Sequence, residues 1–399
     1  MDTLATSDAF YQLADSADRY IQFRNSRILS EYFKEPRTYT RAEASEHLSI
    51  NVRTLDKYVS TAGIDPRRHL DAAWSLTIEE LYKVRGLLPV EKRKAAKFVR
   101  NSNQKTQRIV IQNQKGGVGK TIAVATLGSC LATEFHEEYK VGLVDMDPQS
   151  TLSMYYATEA AKQGFLSVGD LLMGNFELEK NETLSDAVSE AFLKTTIPNL
   201  RVLPATQNDR AIEGWFHQQV FNGKLDSPYT KLDELLTLVD DEFDIIIIDT
   251  PPSLGFGTIN SYYAGTSVIF PMSITENDID ATCSYFSFMP QVWELIKAAG
   301  HPGYDFMKIQ ITNYKTSTGT AELQGRFNDF FLPFVYSKEF KNSESIKGCS
   351  ALLCTVFDMS KSAYAKSKVS FVGATTNAKD ITGQILSDIK ATWKNEDKR

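Results

Sequence analysis

The chain has 399 residues, of which 42% are hydrophobic and 24% charged, close to the composition of soluble globular proteins. No apolar run approaches the roughly eighteen residues of a membrane-spanning helix. Four cysteines without a paired motif disfavour a disulfide framework or a metal site. The net charge of −6 is unevenly divided: residues 1–108 carry 19 Lys and Arg against 14 Asp and Glu, and residues 109–399 carry 25 against 36. The first quarter therefore has a basic character and, we expect, a partner of its own.

The first predicted element is a long amphipathic helix from Asp8 to Phe33, and Pro36 ends it. Its apolar residues recur at spacings of four and three, at Phe10, Ala14, Ala17, Ile21, Ile28 and Tyr32. The helix precedes any domain to which it could belong. We therefore expect residues 1–36 to pack on a second copy of the chain rather than on a core of their own.

Residues 37–105 are predicted to form a winged helix-turn-helix domain with a basic linker. Thr40 and Glu43 have the spacing of a capping box, and Asn51 can cap a second short helix after a three-residue turn. The segment 65–69 is predicted to be a turn that could form a wing. The side chains that could donate to base edges and phosphates are Arg53, Thr54, Lys57, Arg67 and Arg68. The alternative is a small helical domain with solvated charges.

The linker is strongly basic. Between Glu91 and Arg108 the sequence holds one acid and seven cations: Lys92, Arg93, Lys94, Lys97, Arg100, Lys105 and Arg108. Two interpretations remain open, a contact with nucleic-acid phosphates and a solvated connector.

From residue 106 onward, short apolar runs alternate with helical patterns, which is typical of a parallel sheet wrapped by helices. Nearly continuous β-branched runs indicate strands that are buried on both faces. The predicted strands are 109–111, 141–144, 200–203, 245–248, 268–270 and 307–311. We therefore predict an α/β domain over residues 106–399, with a doubly wound, mostly parallel sheet.

A phosphate-binding loop lies between the first of these strands and a helical pattern, in the sequence Gln114-Lys115-Gly116-Gly117-Val118-Gly119-Lys120-Thr121. Glycines let backbone N–H groups turn toward phosphate oxygens, and the following helix adds its positive end. Lys120 is predicted to reach the β and γ phosphates, and the Thr121 hydroxyl to ligate Mg²⁺. The predicted cofactor-binding residues are Gly116, Gly117, Val118, Gly119, Lys120, Thr121, Ile122 and Asn313.

One departure from the usual loop is informative. The glycine that normally opens the motif is replaced by Gln114, and Lys115 follows at once. Because Lys120 already serves the nucleotide of its own subunit, a second lysine is best used on the phosphates of a partner subunit. Here the sequence resembles the deviant Walker A family of ParA and MinD ATPases, over residues 108 to about 390.

The resemblance implies roles for three carboxylates and one amide. Asp147 would position the attacking water, Asp145 would support the magnesium and water network, and Asp249 would hold the magnesium shell. Asn313, which follows a strand, would lie near the adenine. Together with Lys115 and Lys120, Asp145 and Asp147 are the predicted catalytic residues. ATP and Mg²⁺ are the implied cofactors.

The resemblance also implies partners. ParA relatives bind DNA without sequence preference through a basic surface, and the matching lysines here are Lys338, Lys341, Lys347, Lys366 and Lys368, with a solvated face as the alternative. The N-terminal module resembles that of large ParA proteins. We therefore expect a homodimeric, cytoplasmic, nucleoid-associated partition ATPase that binds DNA and a ParB-type protein and represses its own operator.

Two other functions stay open, a transcriptional regulator with a nucleotide-sensing domain and a MinD-like membrane-cycling ATPase. The terminal helix bears on the second: its apolar residues share one face, and we expect that face to pack on the core rather than bind a membrane. These residues are Ile381, Ile385, Leu386, Ile389 and Trp393.

Overall fold

The computed structural model describes residues 6–31, 34–68, 73–156 and 164–398, and the chain divides into two compact units, residues 1–35 and 36–399. In the first unit, helix α1 spans Thr6–Glu31, which confirms the predicted helix. Several of its apolar side chains are exposed, namely Phe10, Tyr11, Leu13, Tyr20 and Phe23. Tyr32 of the predicted apolar stripe lies outside the described residues, and self-association of this helix stays a prediction.

The second unit begins with a small helical module that has its own apolar core. Its elements are β1 (Thr38–Tyr39), α2 (Arg41–Leu48), α3 (Val52–Thr61), β2 (Leu76–Thr77) and α4 (Ile78–Leu87). The Thr40–Glu43 capping box and the Asn51 cap are both present, as predicted. Leu48, Leu55 and Leu81 bring the three helices together in one buried cluster. Two short helices joined by a tight turn are thus packed against a third helix. We call residues 38–87 the helix-turn-helix module, and its DNA-binding role stays a prediction.

A short ladder and a turn complete this module. The two-residue antiparallel ladder joins Thr38 to Thr77 and Tyr39 to Leu76, so it involves the strand that precedes α2. The segment 65–68 forms turns, as predicted, and the Arg67 amide donates to the Asp65 carboxylate over 3.0 Å; its role as a wing stays a prediction. An Asx turn of this kind satisfies the backbone locally. His69 lies outside the described residues.

The rest of the unit is built on a seven-stranded sheet. Its strands are β3 (Gln107–Ile111), β4 (Val141–Asp145), β5 (Leu193–Lys194), β6 (Leu200–Leu203), β7 (Ile245–Asp249), β8 (Ser267–Ser273) and β9 (Phe306–Thr312). The spatial order is β5-β6-β4-β7-β3-β8-β9, and only β5 pairs antiparallel. All the predicted strands are confirmed, and the short β5 is the one that the sequence did not reveal. The α/β fold class is therefore confirmed.

Helices cover both faces of this sheet. They are α5 (Lys120–Glu134), α6 (Thr151–Tyr156), α7 (Val168–Met173), α8 (Leu184–Ala191), α9 (Ala211–Phe221), α10 (Lys231–Thr237), α11 (Phe256–Ala264), α12 (Glu276–Ala298), α13 (Thr318–Phe331), α14 (Glu344–Ala351) and α15 (Lys368–Glu396). One core layer joins α5 and α15 to the sheet, and the other joins α7, α10 and α12 to it. The predicted apolar face of α15 is buried in the first layer, as expected.

The linker is ordered, and its second half is part of the α/β core. The Phe98 ring stacks on Trp393 with 4.4 Å between ring centroids. The buried Arg108 guanidinium pairs with Asp233 at 2.5 Å and Asp240 at 2.9 Å. This half is therefore not the solvated connector that the sequence left open. Among the described residues, no helix is long and apolar enough to cross a membrane.

Candidate functional site

The carboxyl ends of β3, β4, β7 and β9 meet at one edge of the sheet, where open α/β folds bind ligands. The loop 114–119 connects β3 to α5 at this edge. Gly117 and Gly119 have φ angles of +78° and +84°, in the left-handed region that side chains with a Cβ rarely occupy. Gly119 directly precedes α5. The predicted phosphate-binding loop is thus formed, with its glycines where the backbone turns toward a bound anion.

The two lysines of the loop point to different surroundings. The buried Lys120 ammonium donates to the carbonyl oxygens of Asn113 at 2.9 Å and Lys115 at 3.4 Å. Burial lowers its pKa, while the charges of Asp249 and Asp147 oppose that shift. Lys115 is 42% exposed, and its ammonium lies 3.7 Å from the Asp278 carboxylate at the start of α12. Lys120 therefore lies in the pocket with the buried carboxylates, whereas Lys115 is partly exposed and lies beside Asp278.

Two buried carboxylates lie side by side at the same edge, since Asp145 and Asp249 are register partners on β4 and β7. Burial raises the pKa of Asp145 to about 7, against hydrogen bonds from the amide and hydroxyl of Ser153 and the amide of Asp147. Burial and the neighbouring Asp145 raise the pKa of Asp249 well above its ordinary value, and the nearby Thr121 hydroxyl opposes that shift. Two carboxyls this close disfavour a second negative charge unless a cation joins them.

The residues present fit a magnesium-bound nucleotide. Both Asp249 oxygens are buried and lack a hydrogen-bond partner of good geometry among the described residues. Thr121 is adjacent, and hydroxyl, carboxylate and phosphate oxygens are the ligands that Mg²⁺ prefers. The part of the chain that the structure describes holds no group of three or more His, Cys, Asp or Glu residues arranged so that they could hold a metal ion by themselves. A magnesium ion here would therefore share its shell with phosphate oxygens and water rather than sit in an all-protein cage.

Asp147 and Asn313 border this pocket from opposite sides. Asp147 is half-buried, and its Oδ1 accepts the Gln149 amide over 2.9 Å. Asn313 has a φ of +52° and its amide donates to the Gly117 carbonyl and the Ser273 hydroxyl, both at 3.3 Å. Asn313 therefore contacts the phosphate loop itself, and its predicted place near the adenine remains a prediction.

Sequence reasoning missed the side chains that hold this loop. The buried Asn113 amide donates to the Pro271 carbonyl at 2.9 Å and to the Thr282 hydroxyl at 3.1 Å, while its oxygen accepts the Lys115 amide. Asp278 is the other missed residue. Asn113 directly precedes the motif and could have been noticed, but nothing local in the sequence connects α12 with the loop.

The predicted DNA-reading residues lie on one module but differ in whether their side chains already have an ion-pair partner. Arg53, Thr54 and Lys57 lie on the first two turns of α3. Arg68 pairs with Glu80 at 2.6 Å. Asp56, on the same helix, is neutralised by Arg41. The first turn of α3 thus presents side-chain donors, and the acid of the same helix, Asp56, is already paired with Arg41.

The predicted C-terminal lysines do not form one uniform patch. The Lys368 ammonium donates to the carbonyls of Ser362 and Tyr364, and Lys347 pairs with Glu344 at 3.0 Å. The backbones of Lys338 and Lys341 are fixed by Gln384 and Asn377 of α15. Lys366 lies close to Gly348 of α14. A DNA-binding role for these five residues stays a prediction.

Comparison with known proteins agrees with this geometry. Residues 106–294 match the family model of the AAA domain. This segment is therefore similar to AAA domains. A putative replication protein A of Sinorhizobium fredii is 25% identical over 368 residues, covering 90% of this chain and 87% of that protein. The sporulation initiation inhibitor protein Soj of Bacillus subtilis is 36% identical over 164 residues, covering 41% of this chain and 57% of Soj.

The whole described fold also has a solved counterpart. A structure described as a partition protein superposes with a TM-score of 0.65 at 16% identity, covering 94% of this chain and 98% of that one. At this identity the likeness shows the fold. The segment that matches the AAA domain model includes the phosphate loop.

Proposed function

We propose that the chain is a DNA-partition ATPase of the large ParA type, a slow Mg-ATP switch that also binds its own operator. The observation that carries the proposal is the pair of lysines in the phosphate loop. Lys120 is turned into a pocket with two buried carboxylates, and Lys115 is turned outward. A lysine that cannot serve its own pocket is suited to the phosphates of a partner subunit.

The chain's own groups would act on the nucleotide in distinct ways. The loop amides and Lys120 would bind and orient the phosphates, and bound Mg²⁺ would supply further charge neutralisation. Asp147, at the rim of the pocket, would hold the attacking water. Lys115 of the partner subunit would complete the site only in the dimer. A site that depends on one carboxylate and a second subunit should turn over slowly, as suits a switch.

The helix-turn-helix module supports the second half of the proposal. It has a core of its own and presents Arg53, Thr54 and Lys57 on the first turns of α3. In the proposed cycle, ATP-bound dimers associate with nucleoid DNA in the cytoplasm, a ParB-type partner stimulates hydrolysis, and another nucleotide state favours the operator. The same module favours the second candidate, a transcriptional regulator whose ATPase domain senses nucleotide.

The decisive experiment is ATP turnover of the full chain, measured alone, with plain duplex DNA, and with duplex DNA plus the product of the neighbouring gene. A partition ATPase should be stimulated by the two together and should bind duplex DNA of any sequence when ATP is present. Binding confined to one operator, with no stimulation, would instead identify the regulator. Co-sedimentation with liposomes tests the MinD-like alternative, and the buried apolar face of α15 predicts none.

A further inference from the structure

The linker between the helix-turn-helix module and the AAA domain has two halves with different environments. Its second half is held against the α/β domain by contacts of Phe98, Arg100 and Arg108. Its first half runs beside the turn between α2 and α3. The first half therefore has different neighbours from the second half, and the role of its cations has to be argued separately.

A cleft of about 410 Å³ separates this half from the helix-turn-helix. One wall consists of Ser49, Ile50, Asn51 and Thr54, and the other consists of Glu91, Lys92, Arg93 and Lys94. Thr54 belongs to both the cleft and the predicted DNA-reading turn of α3. A duplex that reached Thr54 with its base edges would therefore bring its backbone close to the linker.

Arg93 fixes the linker in this place. Its guanidinium donates to the Leu88 carbonyl at 2.8 Å and to the Gly86 carbonyl at 2.7 Å, at the end of α4. These bonds occupy the Arg93 side chain and hold the neighbouring backbone. Lys92 and Lys94 are consequently carried by a fixed segment rather than by a loose tether, which reduces the entropy lost when they bind.

Lys92 and Lys94 are exposed, and neither has an ion pair or a side-chain hydrogen bond within the described residues. Glu91 is the single acid among the residues that line the cleft. Other cations of this unit pair with carboxylates, as Arg68, Arg85 and Arg108 do. Lys92 and Lys94 lie near Thr54 without such a partner, and they are suited to bind an anionic group of a ligand.

We propose that the linker is part of the DNA-binding surface, with Lys92 and Lys94 binding backbone phosphates of the same duplex whose major groove receives α3. The proposal rests on the proposed DNA-binding function of the helix-turn-helix. Phosphate contacts of this kind fix the register and orientation of a protein on DNA without reading its sequence. The linker therefore sets affinity and salt dependence, while Arg53 and Thr54 set sequence preference.

The test is a fluorescence-anisotropy titration of the full chain without nucleotide, as a function of KCl concentration. The probes are a duplex from directly upstream of the gene that encodes the chain and a scrambled duplex of equal length. The Lys92→Ala/Lys94→Ala double variant should bind both more weakly, and its slope of log affinity against log salt should be shallower by about 1.8, since each phosphate contact contributes about 0.9. The preference for the upstream duplex should not change.

Lys105→Ala is the matched control, because Lys105 is an exposed lysine of the same linker that lies beside the terminal residues of α15 instead of the cleft. It should keep the wild-type affinity and slope. A wild-type slope in the double variant would overturn the linker proposal. Arg53→Ala separates the two hypotheses: if it keeps the preference for the upstream duplex, the helix-turn-helix function fails, whatever the linker does. A wild-type chain that binds neither duplex would overturn both.

Discussion

Helix α5 connects two regions of opposite electrostatic character. Near its first residue, both buried oxygens of Asp249 lack a hydrogen-bond partner of good geometry among the described residues, and the neighbouring Asp145 disfavours a second negative charge. At its last residue, the buried Glu134 pairs with Lys379 at 2.5 Å and Arg37 at 3.5 Å. Buried charge that is left incomplete marks a place where a ligand belongs, whereas buried charge that is fully paired marks an interface.

The paired end of α5 is where the helix-turn-helix module docks. The Tyr82 hydroxyl donates to the Ala132 carbonyl at 2.5 Å, and the His136 ring bonds the His47 carbonyl over 2.7 Å. Burial alone would raise the pKa of Glu134, but His47, Lys379 and Arg37 hold it below its ordinary value. Mutations at the two ends should therefore have different consequences: loss of catalysis at the first, and loss of stability at the second.

The largest effect is expected for Asp147→Ala at the incomplete end. If Asp147 holds the attacking water as proposed, its loss should reduce ATP turnover by about 10³-fold and leave nucleotide affinity nearly unchanged. Single-turnover hydrolysis and nucleotide titration separate the two quantities. Asp241→Ala, at an exposed position away from the pocket, is the control. Full turnover in the Asp147 variant would move the water-positioning role to another residue.

Lys115→Ala should reduce DNA-stimulated turnover by about 10²-fold, because in the proposed dimer the partner subunit's site would then lack the charge that Lys115 supplies. Some nucleotide affinity should remain, since Lys120 is intact. ATP-dependent DNA binding, measured by gel shift, should disappear in parallel. Unchanged turnover would contradict the cross-subunit role and leave the Asp278 ion pair as the function of Lys115.

At the paired end, Glu134→Ala should leave the half-buried Arg37 and the nearby Lys379 without their acid. Breaking a buried pair costs about 3–5 kcal/mol, and because Lys379 is 45% exposed we expect about 2 kcal/mol of lost unfolding free energy. Urea denaturation measures it. Arg326→Ala, which removes an exposed pair with Glu276, should change stability by less than about 0.5 kcal/mol. Equal losses of unfolding free energy in the two variants would contradict the difference that we infer between the two ends of α5.

The last effect concerns pH at the same interface. Burial lowers the pKa of His47 to about 4, so the folded chain favours the neutral ring. The stability from this ring is fully present above the unfolded pKa of about 6.5 and is lost as pH falls toward 4. The melting temperature of His47→Gln should fall less over this range than that of the wild type. Identical pH profiles would show that His47 is not the titrating group.

Much of the site could be predicted because its parts are short and contiguous. The loop, the strand ends at Asp145 and Asp249, and the caps at Thr40 and Asn51 each depend on residues within a few positions of one another. Local backbone preference and strand alternation are sufficient for such features. The ladder between β1 and β2 was not predicted, because two-residue strands have no periodicity to read and their pairing partners are far apart in sequence.

The sequence by itself determined the phosphate loop, the parallel sheet and the capped helices, because glycine spacing, β-branched runs and capping residues act over a few positions. Only the tertiary structure decided that Lys115 lies beside Asp278, that Glu134 joins Arg37 to Lys379, and that half of the linker borders the helix-turn-helix. These contacts join residues far apart along the chain, and their free energies depend on burial, which no local pattern specifies.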